Sequence, residues 1–159
     1  MAIRGRVVVG GMGKLRHYFR NRARGGFKGV DIGFLGSAKY GADKSSRPVT
    51  NVAAWQEFGT RSKKGNVHVP ARPFLKPGIH RGITAVRRVL RTYTGPRRPV
   101  LTRKLAGLVG ETYKMYVQES IRQVQRPPLK ENTIRRKGSD KPLIDSGLMI
   151  QSVTWSIRR

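Results

Sequence analysis

The sequence predicts an α+β fold. A single domain over 1–159 places N-terminal and C-terminal strands in one antiparallel sheet, packs three main helices with it, and projects a basic loop. Three observations carry this. Apolar residues alternate at Val30, Ile32 and Phe34 and again at Val153, Trp155 and Ile157, the period of a strand. Between those ends they recur three and four residues apart, the period of a helix. A chain of 159 residues can also bury roughly two-thirds of its extended surface, so it needs no disulfide staples and contains no cysteine.

In chain order, Val7-Val8-Val9 is a β-branched run closed by Gly10-Gly11 and predicts a strand and a turn. Met12, Leu15, Tyr18 and Phe19, set among Arg16, Arg20, Arg22 and Arg24, predict an amphipathic helix with a basic face. The strand through Val30 to Phe34 follows, and Gly36 to Arg47 reads as a loop. From Val49 to Phe58 a short helix should present Val52, Trp55 and Phe58 on one side, with Thr50 or Asn51 as its cap and Gly59 as a left-handed stop.

Thr60 to Val69, with Arg61, Lys63 and Lys64 and with Gly65-Asn66 at its tip, predicts the projecting basic hairpin. Pro70, Pro73 and Pro77 punctuate an extended approach to the cleanest helix, in which Ile79, Ile83, Val86, Leu90 and Tyr93 are spaced by four, three, four and three. Its outer face carries Arg81, Arg87, Arg88 and Arg91. Thr94 to Pro99 is a linker, and Leu105 to Val124 is a long helix ending before Pro127-Pro128. Gly107 and Gly110 weaken that helix by about 1 kcal/mol each, and their spacing suggests another backbone packed close. A short helix near Lys130 to Arg136, a further turn capped by Asp145, and the C-terminal strand complete the chain.

Charge is the extreme property: 34 Lys and Arg against 8 Asp and Glu, a net +26. No acid precedes Asp31, and none lies between Glu57 and Glu111. Self-repulsion of that size destabilises an isolated compact domain, so a polyanionic neighbour is expected. No apolar run approaches the ~20 residues of a membrane span, and Met1 to Arg6 leads into no signal-peptide core.

Catalytic signatures are weak throughout. Gly10-Gly11-Met12-Gly13-Lys14 fails as a phosphate loop, because Leu15 stands where a magnesium-binding hydroxyl is required. His17, His68 and His80 are scattered, without ligand spacing. The acids read as helix caps or as partners one turn away, Glu111 for Lys114 and Glu119 for Arg122. These readings predict a non-enzyme with no cofactor and no metal.

Four short segments remain: Val52 to Thr60, Pro70 to Leu75, Pro127-Pro128-Leu129, and Lys141 to Gly147. In this order they resemble the tailed-bacteriophage head-tail joining and tail-completion family, which includes minor tail and virion morphogenesis proteins. The resemblance covers about 30 to 157. It implies a virion protein of the neck or upper tail, assembled in the bacterial host cytoplasm as a homo-oligomeric ring of about six or twelve copies. Such a ring sits between a head-side connector or adaptor and a tail terminator or tube, around the path of double-stranded DNA, with no membrane partner. The first two segments would belong to the ring subunit's core, and the basic loop between them would touch a neighbour or the channel.

Candidate contacts to the channel or to partners are therefore Arg61, Lys63, Lys64, Arg81, Arg87 and Arg88, and candidate core or interface residues are Trp55, Phe58, Phe74 and Trp155. A domain roughly 40 Å across would be threaded by on the order of 23 phosphates. Six copies at +26 each exceed that several-fold, so most of the basic surface must face acidic proteins, other DNA or counterions. The alternative is a non-enzymatic nucleic-acid-binding protein of ribosomal or nucleoid type. Against it, Arg and Lys are interleaved with periodic apolar residues rather than gathered in tails.

Overall fold

A computed structural model describes residues 4–5, 29–41, 46–93 and 103–158. The strand expected at Val7 to Val9, the helix expected over 12–24 with His17, the Gly10 to Lys14 loop and the Thr94 to Pro99 linker lie outside the described residues.

The α+β expectation holds. Strands β1 (Arg4–Gly5), β2 (Gly29–Gly33) and β7 (Thr154–Arg158) form one antiparallel sheet in the order β1-β2-β7. The N-terminal and C-terminal strands thus flank the same central strand. Its register places Val30 opposite Ile157 and Ile32 opposite Trp155, so the apolar alternation of both strands falls on one face. On the other face Asp31 forms an ion pair with Arg158.

Three main helices follow: α1 (Val49–Phe58), α2 (Leu75–Tyr93) and α3 (Arg103–Gln123). Helix α3 is central, packing on the sheet through one side and on α2 through another. Its buried residues Leu105, Tyr113, Val117 and Ile121 join Ile32, Val86, Leu90 and Val153 in one core. The crossing with α2 is close because Gly78 has no side chain: a Cβ there would stand 2.8 Å from the Val117 Cα and 3.0 Å from the Tyr116 carbonyl. The expected close approach at Gly107 and Gly110 is made instead by an indole ring. A Cβ on Gly110 would lie 2.3 Å from the Trp155 ring, and one on Gly107 only 3.6 Å away. The indole Nε1–H donates to Glu111 at 2.7 Å.

The region read as a loop over 36–47 contains a short antiparallel pair, β3 (Lys39–Tyr40) with β4 (Arg47–Pro48). Helix α1 starts directly after Pro48, so neither Thr50 nor Asn51 caps it. Its buried residues are Val49, Ala53 and Glu57, spaced by four, rather than Val52, Trp55 and Phe58. Phe58 is 71% exposed, which takes it out of the core. Gly59 does end the helix, yet with φ 72° and ψ 171° it sends the chain into an extended path rather than a left-handed cap.

Short helices α4 (Glu131–Lys137) and α5 (Leu148–Gln151) occupy the C-terminal third. The turn before α5 runs through Gly147 at φ 75°, with no side-chain cap, so Asp145 does not serve as one. Among the described residues no helix is long and apolar enough to cross a membrane.

Candidate functional site

The first and second signature segments are held together by two buried charges. Helix α1 delivers Glu57 inward because it continues the Val49–Ala53 stripe. There Glu57 Oε2 accepts the backbone N–H groups of Phe74 at 2.7 Å and Leu75 at 2.9 Å, and Oε1 accepts that of Lys76 at 3.2 Å. Those amides begin α2, and the first N–H groups of a helix have no partner within it. A carboxylate at this end also complements the helix dipole. Both oxygens of Glu57 are therefore engaged in starting a helix.

Arg72 supplies the opposite charge and is 5% exposed. Its Nε donates to the Pro127 carbonyl at 2.8 Å, one terminal nitrogen to the Pro128 carbonyl at 3.2 Å, and the other to Gln56 Oε1 at 3.3 Å. Its own backbone N–H donates to the Gln56 carbonyl at 2.6 Å. Burial pushes the guanidinium pKa down, and the planar fork offsets that cost by serving several fixed acceptors at once. The third segment, Pro127-Pro128, follows a cis Arg126–Pro127 bond and meets Arg72 through its two carbonyls.

A second cation closes the fourth segment. Lys137, at the end of α4, donates to the Lys141 carbonyl at 3.0 Å and the Pro142 carbonyl at 3.4 Å. Burial lowers its pKa, Asp145 raises it, and Arg72 lowers it further, which places Arg72 and Lys137 in one electrostatic neighbourhood. The first three segments thus meet at Glu57 and Arg72, and the fourth is bound by Lys137.

Above this joint stands the basic hairpin. Strands β5 (Thr60–Arg61) and β6 (Val67–Val69) pair antiparallel with a register irregularity at Thr60/Arg61. The turn is closed by Gly65 N–H to the Ser62 carbonyl at 2.9 Å and by an Arg61 guanidinium contact to the Gly65 carbonyl at 3.3 Å. Every residue from Arg61 to His68 is exposed, including Lys63 and Lys64. The base is tight: a Cβ on Gly59 would meet the Ala71 nitrogen and the Val69 carbonyl at 2.9 Å. Phe58 and Val67, the latter 59% exposed, lie in or beside this hairpin as uncovered apolar groups.

The remaining candidates separate. Arg81, Arg87 and Arg88 are exposed on α2, a different element from the hairpin, and Arg81 donates to Gln123 on α3. Phe74 is core, 1% exposed and edge-on to Phe34 with ring centroids 6.0 Å apart. Trp55 is half-buried, with the Arg47 guanidinium 5.7 Å from its ring centroid. Trp155 is half-buried over Gly110.

Sequence reasoning missed Glu57, Arg72 and Lys137. The signal for Glu57 was present: a lone acid in a basic stretch, four residues beyond Ala53 on what proves to be the buried stripe. Arg72 and Lys137 had no comparable signal, because apart from Gln56 their partners are backbone carbonyls. Among the described residues no three of His, Cys, Asp and Glu gather to hold a metal ion. No family model, curated protein or solved structure matches this chain.

Proposed function

We propose that this chain is a virion structural protein of a tailed bacteriophage, a ring subunit at the neck or upper tail that joins head connector to tail and surrounds the DNA path. It acts by assembly rather than catalysis. The meeting of three of the four family-like segments at Glu57 and Arg72, with the fourth tied down by Lys137, carries the reading. A joint of this kind fixes the start of α2 and the base of the hairpin in one rigid frame. The hairpin, with Phe58 and Val67 beside its lysines, then has the mixed apolar and cationic character suited to a neighbouring protein subunit.

The partners in this reading are further copies of the chain, the head-side connector, the tail terminator or tube, and duplex DNA bound without sequence preference. Native mass spectrometry and negative-stain imaging of the full chain, alone and with head and tail components, test it. Discrete rings or partner-dependent incorporation into particles are expected. A chain that never enters a particle and only binds nucleic acid as a monomer overturns the reading in favour of a nucleoid or ribosomal role.

A further inference from the structure

Helix α2 has two unlike faces. One is buried in the core through Leu75, Gly78, Gly82, Val86 and Leu90. The other exposes Lys76, Arg81, Arg87, Arg88 and Arg91 along about 22 Å of helix, at roughly 1.5 Å per residue.

No acid occurs anywhere in this helix, and among the described residues none of these five cations has a carboxylate within ion-pairing distance. The neighbouring helices differ. On α3, Glu111 pairs with Lys114 at 3.7 Å and Glu119 with Arg122 at 3.6 Å, and on α4, Glu131 pairs with Arg135 at 2.7 Å. Among the described residues, the outer face of α2 carries its whole row of cations with no carboxylate partner.

Its chemistry also separates it from the hairpin. Centres of protein interfaces are depleted in charge and use apolar anchors, whereas nucleic-acid interfaces are polar and strongly cationic. The hairpin region offers Phe58 and Val67; α2 exposes one large apolar residue, Tyr93, at its last position. Four of the five exposed cations are arginines, whose forked donors bind phosphate oxygens in pairs. A duplex alongside 22 Å of helix presents on the order of 13 phosphates, more than enough for every cation to find one.

We propose that the outer face of α2 is the surface on which this protein meets the phosphate backbone of duplex DNA, without reading sequence. This deepens the neck-ring reading and rests on it only for which DNA is met. The basic hairpin is then a protein-contacting element and contributes little to DNA affinity.

The test uses the full chain and a random-sequence duplex, with affinity measured by fluorescence anisotropy from about 50 to about 300 mM salt. One variant combines Arg81→Gln, Arg87→Gln, Arg88→Gln and Arg91→Gln; the comparator combines Arg61→Gln, Lys63→Gln and Lys64→Gln. The first is expected to flatten the slope of log affinity against log salt by about 3 to 4 and to weaken binding more than tenfold at low salt, while the comparator changes the slope by less than about 1. Should the four-site variant fail to fold, Arg88→Gln and Arg91→Gln made singly are each expected to lower the slope by about 1.

Equal loss per charge removed in both variants overturns the inference, as does loss confined to the hairpin variant. Retention of the wild type on immobilised polyglutamate that depends on the α2 arginines, with the duplex slope unmoved, overturns it in favour of an acidic protein. Ring formation and particle incorporation are read on the same samples. Rings that bind no duplex sink this inference alone, whereas α2-dependent duplex binding by a chain that never enters a particle sinks the neck reading and leaves the surface assignment standing.

Discussion

Glu57, Arg72 and Lys137 in the joint, and Arg81, Arg87, Arg88 and Arg91 on the outer face of α2, come from the same strongly basic chain and are used in opposite ways. In the joint each charge is held by backbone groups whose number and position the fold fixes: three amides for Glu57, two proline carbonyls for Arg72, two further carbonyls for Lys137. On α2 the arginines are exposed; Arg81 donates a hydrogen bond to Gln123, and none of them finds a carboxylate among the described residues. The contrast teaches that a charge count alone says little about this protein. A buried ion serves the fold when the backbone satisfies it, and an exposed one serves it hardly at all.

The sharpest way to break the comparison is to remove one charge from each region. Glu57→Ala leaves the Phe74 and Leu75 amides buried without an acceptor and takes the carboxylate from the start of α2. A loss of about 3 to 5 kcal/mol is expected, read as a lower urea midpoint at unchanged m-value. Arg88→Ala removes a charge of equal size and should stay within about 0.5 kcal/mol of wild type. Comparable losses at both sites would mean that the joint is not what holds α2 in place.

Arg72→Lys is a finer cut, because it keeps the positive charge and discards the fork. An ammonium has no planar geometry with which to reach the Pro127 and Pro128 carbonyls and Gln56 together. A destabilisation of about 2 to 3 kcal/mol is expected by the same measurement. A neutral result would show that charge alone is needed there.

Two glycines of α3 test the packing that carries both regions. Gly110→Ala drives a methyl into the Trp155 ring and pulls the indole from Glu111; a net cost of about 1 to 3 kcal/mol with altered tryptophan fluorescence is expected. Gly107→Ala meets the same ring at ordinary contact distance and should stabilise by up to about 1 kcal/mol through helix propensity. Losses of similar size at both positions would place the indole elsewhere.

How far these features could be read from sequence depends on what each residue was answering to. Strands β2 and β7 and the bodies of α2 and α3 were legible because their apolar spacing repeats along the element, so the pattern and the fold report the same burial. Helix α1 was misread on its facing because Trp55 and Phe58 suggested a core stripe by size, whereas the stripe that packs is made of Val49, Ala53 and an acid. Pro77 looked like part of an extended approach, yet it lies in the first turn of α2, where helix amides have no internal partner to lose. The joint was illegible for another reason. Its charged members pair with backbone groups, which every sequence supplies everywhere, so only tertiary placement shows which ones are met.

The smallest expected effect lies where the outer face of α2 meets the core beneath it. Tyr113, on α3, is buried against the α2 position Gly82. Burial raises its pKa, while Arg87 on the outer face lowers it. With a raised folded pKa, its contribution to stability is complete below the ordinary tyrosine value of about 10 and is lost as pH climbs through the folded pKa. Tyr40 is raised as well, through burial and then Asp145, and adds to the same alkaline decline. Lys137, lowered by burial, acts oppositely, favouring the fold as pH rises toward the ordinary lysine value. Tyr113→Phe should therefore flatten the decline above about pH 10. At neutral pH it should be neutral or stabilising by up to about 1 kcal/mol, since the buried hydroxyl has no hydrogen-bond partner among the described residues. Arg87→Gln should move the Tyr113 titration to higher pH, read as tyrosinate absorbance after subtracting the Tyr113→Phe spectrum. A titration that ignores Arg87 would disconnect the outer face from the core beneath it, and the arginines of α2 would then be a surface feature that could change without the fold responding.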